Sequence, residues 1–278
     1  MKRMGLWSVC LFLWGCNEPR QGSTAGQTPL LESVSAPLQA QPPMSVKLQC
    51  LDGVNVRAAL TAAGGTQDLR DRCAGEVTPL VADWGLSEVE LDAVIVTFIA
   101  YRSAPYGQSR AVTREALMTD VGLDCDNYVL LVEYLLRDMH PDARLVFVGF
   151  DGGEIGNHAQ ALVAGGETSV LLDPTVGVVA RVGYNSLLKG VHLTTDMILR
   201  DAREPEAAVA SLHHRVASSL MEGKYNPSDM LYYLQGAETM IALSEHAGEF
   251  WTPAKYPMLL LHYPTPGAEG LRKNLIPN

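Results

Sequence analysis

The segment 125–139 carries the clearest period in the chain and limits what the rest can fold into. Cys125, Tyr128, Val129, Val132, Leu135, Leu136 and Met139 recur at intervals of three and four, the spacing that lines one face of an α-helix. A helix with one continuous apolar face must bury it against another layer. Candidates for that layer follow at once. Pro141 ends the helical pattern, and three short β-rich apolar runs come after it, at 144–150, 158–163 and 168–172. A glycine-rich stretch, 151–156, joins the first two, and Ala164-Gly165-Gly166-Glu167 reads as a hairpin turn between the second and third. The pattern predicts an α+β fold, with a long helix packed on an antiparallel sheet.

Further helices flank this unit. Ser87-Glu88-Val89-Glu90 is a capping box, in which hydroxyl and carboxylate satisfy free N–H groups reciprocally. It starts a helix running to about Tyr101, with Leu91, Val94, Ile95, Phe98 and Ile99 on its apolar face. Pro105 and Gly107 break the pattern, and a short helix is expected at 114–119. Additional C-terminal helices are expected at 205–223, on the face of Val209, Leu212, Val216 and Leu220, and at 230–244, rich in Tyr232, Tyr233, Met240 and Leu243. The segment 256–266 holds three prolines and should lie extended over the surface.

The N-terminus reads as a targeting segment. Lys2 and Arg3 precede a short apolar stretch, 4–14, too short for a stable transmembrane helix of about 20 residues. Leu13-Trp14-Gly15-Cys16 resembles the bacterial lipobox, with Trp14 a departure where a small or β-branched residue is usual, and makes Cys16 the lipidation site. The alternative is an ordinary secretory signal cut further along. Residues 16–45 are dominated by Pro, Ser, Gln, Gly and Ala without apolar period, the composition of a disordered tether. The expected organisation is a signal at 1–15, a tether at 16–45, a catalytic-type domain at 46–200 and a helical extension at 201–278 packed on the core.

Cysteine use fits export to the periplasmic face of a bacterial membrane. With Cys10 in the signal and Cys16 lipidated, Cys50, Cys73 and Cys125 remain. An exported chain pairs two of them, and Cys50–Cys73 is the natural pair, leaving Cys125 as a thiol. Removal of Lys2 and Arg3 with the signal leaves 19 basic against 31 acidic residues, a net charge of −12. That charge argues against nucleic acid as a partner. The only membrane association expected is through the N-terminal lipid anchor.

Cys125 begins the patterned helix within Gly122-Leu123-Asp124-Cys125-Asp126-Asn127, His158 opens the second apolar run, and Asp173 closes the third at Leu172-Asp173-Pro174-Thr175. Singly, each has an ordinary role as core thiol, core histidine or turn aspartate. Together they are the parts a cysteine nucleophile needs. The thiolate is the reactive form, favoured by an imidazole and a helix N-terminus, and a carboxylate fixes the imidazole's tautomer. The charge of Asp124 and Asp126 opposes thiolate formation.

These three motifs, in order, resemble the core of the transglutaminase-like superfamily over about 122–190. The resemblance implies a papain-like arrangement, in which a Cys-bearing helix packs on an antiparallel sheet carrying His and Asp. It implies Cys125 as nucleophile, His158 as base and then acid, and Asp173 as the orienting carboxylate. Many members carry an aromatic residue two positions after the histidine, where this chain has Gln160. Oxyanion donors are open between the Cys125 backbone N–H and the side chains of Gln108 and Tyr106.

Three outcomes follow from the resemblance. One is a cysteine peptidase cleaving peptide or isopeptide bonds of a cell-envelope peptide or protein. The second is an amine transferase acting on protein glutamine, and the third a catalytically silent binding or assembly module. None needs a metal or organic cofactor. His213-His214 are adjacent and point apart on a helix, without companion ligands for zinc. Ser186-Leu187-Leu188-Lys189 has the Ser-x-x-Lys form of penicillin-binding enzymes but lacks their companion motifs, and is read as chance.

Overall fold

A computed structural model describes residues 43–109, 111, 113–143, 145–151, 157–163, 170–182, 193–223 and 227–233. The expected export signal, Cys16, most of the expected tether, the glycine-rich 152–156, the turn expected at 164–167, the Ser186–Lys189 motif and everything from 234 lie outside the described residues.

Seven strands form one mixed sheet: β1 (Met44–Val46), β2 (Leu145–Asp151), β3 (Asn157–Val163), β4 (Val170–Asp173), β5 (Val178–Arg181), β6 (Ile198–Asp201) and β7 (Pro227–Tyr233). Their order is β1-β6-β5-β4-β3-β2-β7. The run from β2 to β6 is an antiparallel meander, β7 returns antiparallel to β2, and β1 pairs parallel with β6. The molecule is α+β.

Five helices cover one face of the sheet: α1 (Val56–Thr61), α2 (Gly65–Val77), α3 (Glu88–Ser103), α4 (Arg114–Thr119) and α5 (Cys125–Met139). The Ser87 capping box closes in both directions. Ser87 Oγ accepts from the Glu90 N–H at 3.3 Å, and Glu90 Oε2 accepts from the Ser87 N–H at 2.9 Å. α3 and α5 pack on each other and on the centre of the sheet, against Leu145, Ala159, Ala161, Val163, Val170, Leu172, Val179 and Leu199. α6 (Ala207–Glu222) covers the opposite face. There Val209, Leu212, Val216 and Leu220 meet Val148, Leu162, Leu171, Val178, Ala180 and Ile198. The two faces divide the strand residues by strict alternation, as a pleated sheet requires.

The first residues of one expected helix are strand, the rest of it lying outside the described residues. Met230 to Tyr233, taken as the start of a helix at 230–244, lies in β7 and pairs with the outer edge of β2. Aromatic and branched residues suit a pleated edge, and an unpaired edge at β2 offers a row of backbone partners. Tertiary pairing decided that segment.

Covalent and ionic ties join the layers. Cys50 and Cys73 form a disulfide, Cα to Cα 5.3 Å, linking the segment after β1 to α2. The Glu76 carboxylate accepts from the N–H groups of Gln49 and Cys50 at 2.8 and 2.9 Å beside it. Arg102, in the last turn of α3, grips the buried Asp201 of β6 with two bonds, 2.5 and 2.6 Å. A fork of this kind supplies geometry as well as energy.

Candidate active site

The N-terminus of α5 is built by Asp124. Its carboxylate accepts from the Asn127 N–H, and the Asn127 side-chain oxygen accepts from the Asp124 N–H, both at 3.3 Å. This reciprocal cap makes Cys125 the first helical residue, where backbone N–H groups favour an anion. Among the described residues Cys125 is the cysteine outside the disulfide, and it is 2% exposed. Its Sγ donates to Asp126 Oδ1 at 3.5 Å. The loop before the helix is zipped to the Tyr106 loop, the Gly107 N–H donating to the Leu123 carbonyl and the Leu123 N–H to Pro105. Gly122 is required there: a Cβ on it would lie 2.9 Å from the Gly107 Cα.

His158 and Asp173 meet across β3 and β4. His158 Nε2 lies 2.9 and 3.0 Å from the two Asp173 oxygens, and both side chains are buried. Gln160 Nε2 donates to Asp173 Oδ2 at 2.7 Å. With Nε2 directed to Asp173, the other ring nitrogen is Nδ1, which is buried. Gln160 was not among the expected site residues, although period two already placed it on the face of His158. Gln160 is thus the second anchor of the carboxylate.

The expected arrangement put His158 and Asp173 on the face that receives the cysteine helix. They are on the other face. Ala159, Ala161 and Leu172 meet α5's side of the sheet, while Leu162, Leu171 and Val178 meet α6. Alternation therefore turns His158, Gln160 and Asp173 toward α6. The surroundings of His213 agree with this. Burial, followed by the charge of Arg200, lowers the pKa of this α6 residue, and the Asp173 carboxylate acts on it from nearby in the opposite sense.

The two faces come together at one end of the sheet. Tyr128, one turn beyond Cys125, and Thr175, two residues beyond Asp173, line the same pocket with Tyr101, Ala104, Tyr106, Arg203, Glu206 and Val209. Cys125, His158 and Asp173 do not line that pocket. Tyr128 Oη donates to the Ala104 carbonyl at 2.7 Å, and burial pushes its pKa well above the ordinary phenol value. Burial, with Asp201 adding to it, raises Tyr101 to about 12. Of the two side-chain oxyanion candidates, Tyr106 lines this pocket, and its backbone N–H donates to Glu206 Oε2 at 3.1 Å. Gln108 is exposed and does not line it.

Comparison of the chain with protein-family models, with curated proteins and with solved structures found no match.

Proposed function

We propose that the chain is an exported cysteine hydrolase of the transglutaminase-like type, cleaving peptide or isopeptide amide bonds through a Cys125 thioester. The observation that carries this reading is the buried His158–Asp173 pair, His158 Nε2 lying 2.9 and 3.0 Å from the two carboxylate oxygens. The Cys50–Cys73 disulfide supports an oxidising compartment, and Cys16 is the proposed lipid anchor there.

In the first half-reaction Cys125 passes its thiol proton to His158 Nδ1, and Sγ attacks the substrate carbonyl carbon, forming a C–S bond and, as the C=O π bond opens, an oxyanion. The Cys125 backbone N–H and Tyr106 are the donors proposed for that oxyanion. The C–N bond then breaks as His158 Nδ1–H gives its proton to the departing amine. In the second half-reaction water gives a proton to Nδ1 while its oxygen adds to the thioester carbon. Sulfur leaves as thiolate beside the imidazolium, and a carboxylic acid departs. Asp173 holds the Nε2–H tautomer and stabilises the imidazolium. Because His158 faces away from α5, the reaction requires thiol and imidazole to come within reach of each other, which the His158→Ala labelling comparison below reads. An amine in place of water in the second half-reaction gives transfer.

A second reading, a catalytically silent binding module, is favoured by the burial of Cys125 and its contact with Asp126. Iodoacetamide labelling of the non-reduced protein across pH, read by mass spectrometry, separates the two. The hydrolase predicts fast labelling of Cys125 with an apparent pKa well below the ~8.5 of a free thiol, lost in His158→Ala. Slow labelling indifferent to His158 would end the hydrolase reading.

A further inference from the structure

The His158–Asp173 pair is sealed on the sheet face that α6 covers. His158 and Asp173 are each 1% exposed, and Gln160 is fully buried. They belong to a polar row on a face whose other residues at the α6 contact are apolar. Strand pairing sets Val148 opposite Gln160, Asp173 opposite Val178 and Val178 opposite Arg200, and Gln160 is bonded to Asp173. Among the described elements α6 is the helix packed on that face, so a substrate touches the pair only if this cover moves.

The cover is lightly tied. α3, α4 and α5 each begin with a side chain that accepts from a first-turn N–H, supplied by Ser87, Thr113 and Asp124. Glu206 begins α6 without such a bond. Among the described residues the helix is held at its ends by the Tyr106 N–H on Glu206 Oε2, 3.1 Å, and the Leu193 N–H on the Leu220 carbonyl, 3.3 Å. Between them lies the stripe of Val209, Leu212, Val216 and Leu220.

His213 stands within that stripe, 8% exposed. Asp173 of β4, Arg200 of β6, Glu204 of the segment before α6 and His214 of α6 itself act on it by charge. His158 of β3 lies on the same face, while β2 and β5 present the apolar Val148, Val178 and Ala180. Neutral, the imidazole packs as part of the stripe. Protonated, it is a charge in a largely apolar interface, repelled by Arg200. The carboxylate at hand, Asp173, is already bonded by His158 and Gln160.

We propose that α6 is a lid over the His158–Asp173 pair, released in acid through protonation of His213. That the uncovered pair then acts on substrate rests on the proposed hydrolase; the release itself does not. A released His213 takes up its proton near the ordinary histidine value of about 6.5. Packed, it is held below that value, by burial first and then by Arg200, with Asp173 and Glu204 opposing. Acid therefore favours the released state.

Hydrogen–deuterium exchange of the non-reduced protein, read by peptide mass spectrometry and corrected for the pH dependence of free amides, follows the lid without turnover. At pH 7.5 α6 should exchange faster than α3 and α5, as a unit that opens by itself. At pH 5.5 its opening should rise by up to about tenfold, the limit for a released histidine one unit below its ordinary value. His213→Gln should abolish the rise, and His213→Leu should abolish it and slow α6 at both pH values. In the wild type the His213 ring, followed by NMR, should titrate below about 6.5. Exchange of α6 only at the rate of α3 and α5 overturns the lid. So does a rise below about twofold, a rise kept in either variant, or a His213 that titrates at or above about 6.5. A lid that opens over an unreactive Cys125 removes the hydrolase alone. His158-dependent labelling of Cys125 with α6 closed throughout removes the lid alone.

Discussion

Gly177→Ala is the perturbation that most directly probes how the turn after β4 is held together. Gly177 ends the turn between β4 and β5 at φ +65°, just past Asp173 and Thr175, and its carbonyl accepts from the Asp201 N–H at 2.8 Å. Two costs follow from adding one methyl. An alanine in the left-handed region costs about 1–2 kcal/mol. The new Cβ would also lie 2.7 and 2.8 Å from two ring carbons of the buried Tyr101, where ordinary carbon contacts are about 3.5–4.0 Å. The ring must shift by nearly 1 Å in a packed site, an overpacking cost of about 1–3 kcal/mol. The expected loss is about 2–5 kcal/mol, a large part of the 5–15 kcal/mol typical of a domain. Urea unfolding of the non-reduced protein measures it. Repeating the substitution in a Tyr101→Ala background isolates the clash: only the backbone cost of about 1–2 kcal/mol should remain, and the difference is the coupling. A loss below about 1 kcal/mol, or the same loss in both backgrounds, would refute the packing described here.

Replacing Cys50 and Cys73 by serine opens a loop whose ends are 23 residues apart. Loop-closure entropy sets the expected loss at about 3 kcal/mol, read as a lower urea midpoint than the non-reduced wild type, with reduced wild type shifting the same way. His213 predicts an acid limb in stability. Burial, helped by Arg200 and His214 and opposed by Asp173 and Glu204, lowers its pKa in the folded state. The unfolded chain therefore takes up the proton first. Stability is full above about 6.5, the ordinary histidine value, and falls as pH drops from there toward the folded value. Urea midpoints measured across that window should decline in the wild type and decline less in His213→Gln.

Much of the architecture was legible because it rests on local periods. The apolar stripe of α5, the Ser87 box of α3 and the stripe of α6 each specify a helix and its buried face without reference to neighbours. Pro141 and the β-rich runs after it marked the change to sheet, and cysteine arithmetic pointed to Cys50–Cys73. The meeting of His158 with Asp173 was equally readable, since a hairpin brings the start of one strand opposite the end of the next. β7 was not, because an aromatic run near 230 suits a helix or a strand and only the open edge of β2 chose between them.

The sequence by itself determined which residues share a face. His158, Gln160 and Asp173 fall together by alternation, and Cys125 opens the stripe of α5. It could not say which face of the sheet α5 would cover, because both alternating sets are apolar enough to be buried. Packing answered that question. Ala159, Ala161 and Leu172 lie under α3 and α5, and the His–Asp pair turned toward α6. The pocket of Tyr101, Tyr128, Thr175 and Arg203 likewise belongs to the tertiary structure alone. Its walls come from α3, α5, the β4–β5 turn and the segment before α6, and no local period connects residues so far apart in the chain.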